Sequence, residues 1–217
     1  MAKRIYENME QGSDDWLKVR CGKLTASRLG DILTPKTLKL GAGAKTQALI
    51  IAAERIKGIV EPVYISDDME RGNALEAEAA FLYNNNYQHL YHVGFIENDS
   101  FGFPFGASPD GLTTDKKGGI EIKSPRSHHH LTNILHNDID TEHILQMQGV
   151  MMAGDLEYMD FISYHEGLKM KPIRIGRDDE MIDIIVNAGR EFESMVQDII
   201  KQHNDIDGIE TELPKEI

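Results

Sequence analysis

Along this chain the spacing of apolar and polar residues changes several times, and each change marks a different kind of element. From Gly12 to Leu33, "GSDDWLKVRCGKLTASRLGDIL", the apolar residues Trp16 and Leu17, then Leu29, Ile32 and Leu33, predict two short helices joined at Gly22. Ser13 or Asp14 is placed to cap the first, whose early acids favour the helix dipole, and Thr25 or its neighbour to cap the second. After a loop holding Pro35 and the Gly41–Ala44 alternation, residues 45–60 have the alanine, leucine and isoleucine content of a buried helix closed at Gly58. Residues 72–86, rich in alanine and glutamate and ending in asparagines, predict a further helix.

The period then shortens. Residues from Leu90 to Gly106 read as strand, turn and strand, and "GIEIKS" (119–124) alternates strictly between apolar and charged. A helix over 141–156, a strand over 157–165, a strand over 168–177 broken by Pro172 and a long amphipathic helix over 177–205 complete the chain. This order predicts a mixed α/β fold. With no internal repeat or low-complexity linker, one domain spanning residues 1–217 is expected.

Composition narrows the chemistry. At 217 residues, 41% hydrophobic and 27% charged, the chain can bury a real core. No apolar run approaches the roughly 20 residues of a membrane span, and Met1 to Gln11 lacks an apolar leader, so a cytoplasmic setting is expected. The single cysteine, Cys21, rules out an internal disulfide and a multi-cysteine zinc or iron–sulfur site. Any chemistry must come from carboxylates, histidines, lysines and hydroxyls. A net charge of −13 argues against a surface that grips phosphates everywhere, while leaving room for local basic patches and metal-bridged contacts.

Within "SPDGLTTDKKGGIEIKSP" (108–125), Glu121 and Lys123 stand two apart on a strand and project to one face, about 6.5 Å apart at ~3.3 Å per residue. Ile120 and Ile122 then face the core. The polar, glycine-containing stretch from Leu112 to Gly119 reads as a hairpin loop that folds Asp110 back beside Glu121. Pro109 stiffens the approach, and Gly111 is expected to allow an unusual backbone just after the aspartate. Two converging carboxylates repel unless protonated or bridged by a cation, and oxygen ligands suit Mg²⁺ or Mn²⁺. A neighbouring lysine offsets charge and can orient or deprotonate a water for attack on a phosphodiester. Asp115 and Lys117 repeat part of this pattern but read as a solvated turn.

With these residues placed, the chain resembles the PD-(D/E)XK nuclease superfamily, and more closely its phage alkaline exonucleases of the lambda exonuclease type, the YqaJ-like viral recombinases. The resemblance covers roughly Gln11 to Tyr164 and rests on "QGSDDWLKVRCGKLTAS", "RGNALEAEAAFLY", "ASPDGL", "IEIKSP" and "HILQMQGVMMAG", in the family's order. It implies a restriction-endonuclease-like α/β core, with a central mixed sheet flanked by helices and a metal site at the sheet's edge. It implies Asp110, Glu121 and the backbone carbonyl of Ile122 as Mg²⁺ ligands, Lys123 as the group that positions or activates water, and Glu76, rather than Glu78, as a helix carboxylate reaching a second metal or its water. Gln146, rather than Gln148, matches the glutamine bordering the site. Arg20, Ser27 and Lys36 match positions that hold the 5′ phosphate of the degraded strand, although the family usually has arginine where this chain has Lys36.

The same resemblance implies a Mg²⁺-dependent 5′ to 3′ exonuclease on double-stranded DNA ends, leaving 3′ single strands for a single-strand annealing protein in phage-type recombination. It also implies a ring-shaped homotrimer around DNA and, where phage encoded, the cytoplasm of a bacterial host. Other readings stay open: a restriction-type or structure-specific endonuclease, or a non-catalytic DNA-end scaffold that keeps the fold. His128, His129 and His130 are expected on a loop, splayed apart and near substrate or solvent rather than on zinc. Trp16, Met147, Met151 and Met152 read as core.

Overall fold

The computed structural model describes residues 3–61, 67–209 and 211. Strand β1 (Arg4–Tyr6) leads to helix α1 (Asp14–Arg20), where the Ser13 hydroxyl accepts from the Trp16 amide at 3.3 Å and caps the helix as its position predicts. The second predicted helix is instead broken into strand β2 (Leu24–Thr25), a 3-10 turn (Ala26–Arg28) and a single-turn helix α2 (Leu29–Ile32). Thr25 makes no capping bond; its backbone is extended because it pairs in parallel with Gly106.

Helix α3 (Gly43–Lys57) begins two residues before the predicted start and ends at Gly58, whose φ of 72° is the left-handed turn that glycine takes without strain. Helix α4 (Asp67–Asn86) also begins ahead of its predicted start. The region 90–113 holds strands β3 (Leu90–Tyr91), β4 (Phe95–Asn98), β5 (Phe105–Ala107) and β6 (Gly111–Thr113). Then follow β7 (Gly118–Lys123), α5 (Ser127–His136), α6 (Thr141–Gly154), β8 (Tyr158–Ser163), β9 (Ile173–Gly176) and α7 (Asp179–Asn204).

The strands form two mixed sheets rather than one. The first has the order β1-β4-β5-β2, and the second β3-β6-β7-β8-β9. In the second sheet β7 and β8 run parallel, so a crossover must join them, and α5 and α6 supply it. All six residues of β8 are buried, as a central strand requires.

One face of this sheet packs on the main core, where Met147, Met151 and Met152 of α6 are buried as expected. On the other, Leu75, Ala79 and Tyr83 of α4 close over Ile120, Ile122 and Ile162. The alternation of "GIEIKS" thus has a physical partner on both sides: isoleucines toward α4, Glu121 and Lys123 toward α6. Helix α7 packs along α3, and Arg55 spans them with paired bonds of 2.6 and 2.8 Å to Glu193.

On the α4 face, buried Asp160 accepts from Tyr83 Oη at 2.6 Å and from Arg174 Nε and Nη2 at 2.8 and 2.9 Å. The Arg174 guanidinium lies 3.7 Å from the Tyr158 ring centroid, a second contact that holds it in the ion pair. Asp160→Ala leaves Arg174 Nε without its acceptor, and Tyr83 Oη and Arg174 Nη2 with only the longer bonds to Gln88 Oε1 at 3.2 and 3.4 Å. It is expected to destabilise the protein by about 2 kcal/mol, read as a melting temperature lower by about 4–8 °C; an unchanged melting temperature would show that the network is not structural.

Candidate active site

The hairpin is tighter than its composition predicts. Leu112, Thr113, Gly118 and Gly119 belong to strands, because β6 and β7 pair Gly111 with Ile120 and Leu112 with Gly119. Only residues 114–117 turn, with Asp115 Oδ1 accepting from Thr113 Oγ1 at 2.6 Å and from the Lys117 amide at 3.0 Å. Asp115 and Lys117 are exposed, as a solvated turn should be. Gly111 has ordinary strand backbone, not the unusual backbone expected of it; a Cβ there would lie 3.3 Å from Ile120 Cγ1 and Leu90 Cδ1, so close packing accounts for the glycine.

The register folds Asp110 back beside Glu121. Asp110 Oδ2 accepts from the Ile122 amide at 2.6 Å. In a strand the N–H and C=O of one residue point to the same edge, so the Ile122 carbonyl lies on the edge facing Asp110. The Lys123 carbonyl takes the other edge and accepts from the Tyr164 amide at 2.9 Å.

Glu121 is 0% exposed. Its Oε1 accepts from Lys123 Nζ at 2.6 Å, and Gln146, reaching down from α6, also hydrogen-bonds its carboxylate. Its Oε2 is buried without a hydrogen-bond partner, an arrangement that costs a carboxylate oxygen dearly unless something else ligates it. Burial pushes the Glu121 carboxyl up, against the pull of Lys123 and Gln146. Asp110 is pushed well above the usual carboxylate range by burial and by the charges of Glu121 and Glu76. Glu76 is raised by burial and by Glu121. Burial draws the Lys123 ammonium down, but Glu121, Asp110 and Glu76 outweigh it and hold it above the ordinary lysine value.

Three carboxylates around one ammonium therefore leave excess negative charge in a desolvated place, with one carboxylate oxygen unused. Asp110, Glu121, Glu76 and the Ile122 carbonyl are all oxygen donors, and they fit a hard divalent cation. The neighbouring choices fall elsewhere. Glu78 hydrogen-bonds Tyr164, and Gln148 bonds the Gly176 carbonyl and the Asp178 amide, each at 2.9 Å.

Of the N-terminal candidates, Arg20 is tied through Trp16 to the segment that leads into this hairpin. Trp16 is half-buried rather than core: its Nε1 donates to Ser108 Oγ at 2.9 Å and to the Gly94 carbonyl at 3.1 Å, while Gln11 Nε2 holds the Pro109 carbonyl at 2.9 Å. The outer face of the indole carries the Arg20 guanidinium at 4.0 Å. Burial and the charge of Arg28 lower Arg20 to about 10, against the pull of Glu54. Ser27 is exposed on the 3-10 turn, with Oγ 3.2 Å from Thr25 Oγ1. Lys36 lies exposed on the 34–39 turn, and no hydrogen bond or ion pair among the described residues joins it to Arg20 or Ser27.

Sequence reasoning missed three residues here. Arg28 is held at 2.7 Å by buried Glu54, whose other oxygen takes the Gly22 amide at 2.8 Å. His143 stacks on Phe161, the register partner of Glu121, and burial, together with the Lys123 charge, lowers its pKa. Its spacing of three from Gln146 on α6 places both on one helix face, a signal present in the sequence. Arg71 holds the Ser124 carbonyl at 2.9 Å.

The three consecutive histidines are not on a loop: they open α5. His128 and His129 are exposed, but His130 is buried, its Nε2 donating to the Lys169 carbonyl at 3.1 Å and its Nδ1 facing Ser163 Oγ at 3.0 Å. A backbone carbonyl only accepts, so Nε2 carries a proton; burial lowers the pKa of the ring, and its contacts within the fold are structural.

A mixed sheet that presents an aspartate, a Glu-x-Lys strand and a helix glutamate at one place defines a nuclease of the PD-(D/E)XK type. Residues 15–157 match the YqaJ-like viral recombinase domain, and the chain belongs to that family. It is similar to the crystal structure of the alkaline exonuclease LHK-Exo from Laribacter hongkongensis, with 31% identity over 88% of this chain and 96% of that one and a TM-score of 0.79. The LHK-Exo complex with dAMP matches at 30% identity over 88% and 96% of the two chains, with the same TM-score of 0.79. A phage-related exonuclease from Haemophilus somnus 129PT shares the fold, with 20% identity over 83% of this chain and 96% of that one and a TM-score of 0.60. No curated protein matches the chain.

Proposed function

We propose that this protein is a Mg²⁺-dependent exonuclease that degrades one strand of double-stranded DNA from its ends, 5′ to 3′, and leaves a 3′ single strand for an annealing protein. The observation that carries this reading is buried Glu121, one oxygen bonded to Lys123 and the other without a partner, beside Asp110. Asp110, Glu121 and the Ile122 carbonyl would hold the Mg²⁺, for which Mn²⁺ substitutes, and Glu76 would reach a second ion or its water. When bound, the cation polarises the phosphate and acidifies water.

The chain's own residues do the rest. Asp110 and Glu121 keep Lys123 a cation, which orients the attacking water and offsets charge that develops on the phosphate. Gln146 steadies the Glu121 carboxylate. Arg20, braced on Trp16, and the exposed residues Ser27 and Lys36 receive the 5′ phosphate. A ring-shaped homotrimer around DNA would let a chain of net charge −13 stay on its substrate with only local positive charge. No helix among the described residues is long and apolar enough to cross a membrane; the setting proposed is the cytoplasm, that of a bacterial host where the protein is phage encoded. LHK-Exo binds dAMP, a mononucleotide of the kind that exonucleolytic cleavage releases.

Digestion of 5′-phosphorylated linear, 5′-hydroxyl linear and closed circular duplex with Mg²⁺ tests the reading. The phosphorylated linear duplex should disappear fastest and the circle should survive; a cut circle would favour the endonuclease alternative. Arg20→Ala should slow degradation of the phosphorylated duplex by about 10- to 100-fold, as loss of a charge-assisted phosphate contact does, and erase the preference between the two ends.

A further inference from the structure

Helix α6 crosses the sheet face that carries Glu121 and Lys123, and two of its side chains meet that face one turn apart. Gln146 hydrogen-bonds the Glu121 carboxylate, and His143, three residues earlier, lies on the same side of the helix. The His143 ring packs against Phe161, with centroids 5.8 Å apart and planes 22° from parallel. Phe161 is the register partner of Glu121 on the adjacent strand, so imidazole and carboxylate stand side by side over β8 and β7.

Nothing in the fold uses the polar edge of this ring. No hydrogen bond among the described residues engages either nitrogen, because Glu142 Oε1 lies 4.0 Å from Nδ1, beyond hydrogen-bond reach. The edge is not sealed either. His143 keeps 21% of its side chain exposed and Lys123 32%, so both are open to a substrate. Burial, then the Lys123 ammonium, lowers the pKa of the ring against the pull of Glu142 and Asp140. At neutral pH it is therefore a neutral imidazole with one N–H to donate.

We infer that His143 is a further catalytic residue of the nuclease, whose imidazole N–H donates to a non-bridging oxygen of the phosphodiester that is cut. This role rests on the nuclease reading. Packing on Phe161 covers one flat of the ring and fixes its plane, which leaves an edge, and an edge hydrogen-bonds rather than stacks. In that reading Lys123 and the carboxylates act on the scissile phosphate, so a phosphate oxygen is the acceptor brought to this face of the sheet. Charge develops on the phosphoryl oxygens during the displacement, and a donor already held in place costs no reorganisation at that moment.

The test is steady-state digestion of 5′-phosphorylated linear duplex at saturating Mg²⁺ by the parent, His143→Phe, His143→Asn and His143→Gln. All are full chains, with melting temperatures and duplex binding in Ca²⁺ measured beside the rates. His143→Phe keeps an aromatic ring on Phe161 and removes the donor. Its kcat and kcat/KM should fall together by about 10²-fold, with KM, binding and melting temperature close to those of the parent. Asparagine and glutamine each carry an amide N–H near the place of one ring nitrogen, and at least one of them should recover about tenfold of the loss. Parent-like kcat in His143→Phe would overturn the inference and leave the exonuclease reading intact, since the ring would then only pack. So would a loss shared equally by all three variants, one that tracks a lowered melting temperature, or one confined to KM and Ca²⁺ binding. A parent that leaves the duplex intact would sink the nuclease reading itself and this role with it.

Discussion

Replacing Lys123 by alanine is expected to slow duplex degradation by about 10²- to 10⁴-fold, the usual contribution of a group that handles a reacting water, while binding of the DNA end persists. Two losses combine in this variant. The ammonium that orients the water is gone, and Glu121 Oε1 loses its charged partner at 2.6 Å, keeping only Gln146, in a place where Oε2 already has none. Burial then lifts the Glu121 carboxyl further, which weakens it as a ligand for a cation. Binding should survive because Arg20, Ser27 and the Trp16 platform belong to α1 and the turn after it, which latch onto Ser108 and Pro109 rather than onto β7. Lys123→Arg should not rescue, since a planar fork cannot replace a point charge bonded to one oxygen. Single-turnover digestion of 5′-phosphorylated duplex at saturating Mg²⁺, beside binding measured in Ca²⁺, separates the two effects. Degradation at the parent rate would remove Lys123 from the mechanism.

How much of this site can be read from the sequence depends on the range of the interactions that build it. The pairing of Asp110 with Glu121 is local: strand alternation sets the face of Glu121, and a turn of polar residues sets the return of the chain. Ser13 and Gly58 act within one helical turn, and their roles are visible for the same reason. Thr25 is the opposite case. Its segment looks helical, but Leu24 and Thr25 pair with Phe105 and Gly106, about eighty positions away, and that ladder pulls the backbone into a strand.

The three histidines have no apolar periodicity of their own. Their helix depends on His130 docking onto Ser163 and Lys169, partners that only the fold brings near. Arg28 and Glu54 likewise lie 26 residues apart, so the acid on the otherwise apolar buried face of α3 looks anomalous until its partners are seen. The separation of the strands into two sheets escapes prediction because nothing within a short strand says which edge it joins.

The crowding of carboxylates makes a second large effect predictable. Asp110→Asn should lower cleavage by about 10³-fold, on the scale of metal-assisted catalysis, and at the same time make the metal-free protein more stable at neutral pH. Asparagine keeps the volume and an oxygen for the Ile122 amide, 2.6 Å away in the parent, but removes a charge that burial, Glu121 and Glu76 all disfavour. The sign follows from proton linkage. Because the folded-state pKa of Asp110 is raised, the metal-free folded protein binds the proton more tightly than the unfolded chain. Its stability falls as pH rises from the unfolded value, about 3.9, through the folded one, and the penalty is full above both. The variant lacks that penalty, so in a chelator at neutral pH its melting temperature should exceed the parent's by about 2–4 °C for each kcal/mol relieved, and the difference should shrink on acidification toward pH 4. Added Mg²⁺ should reverse the order, raising the melting temperature of the parent by mass action and leaving that of the variant almost unchanged. A variant that melts below the parent in chelator and gains as much from Mg²⁺ would show that these carboxylates are held together by something other than a cation.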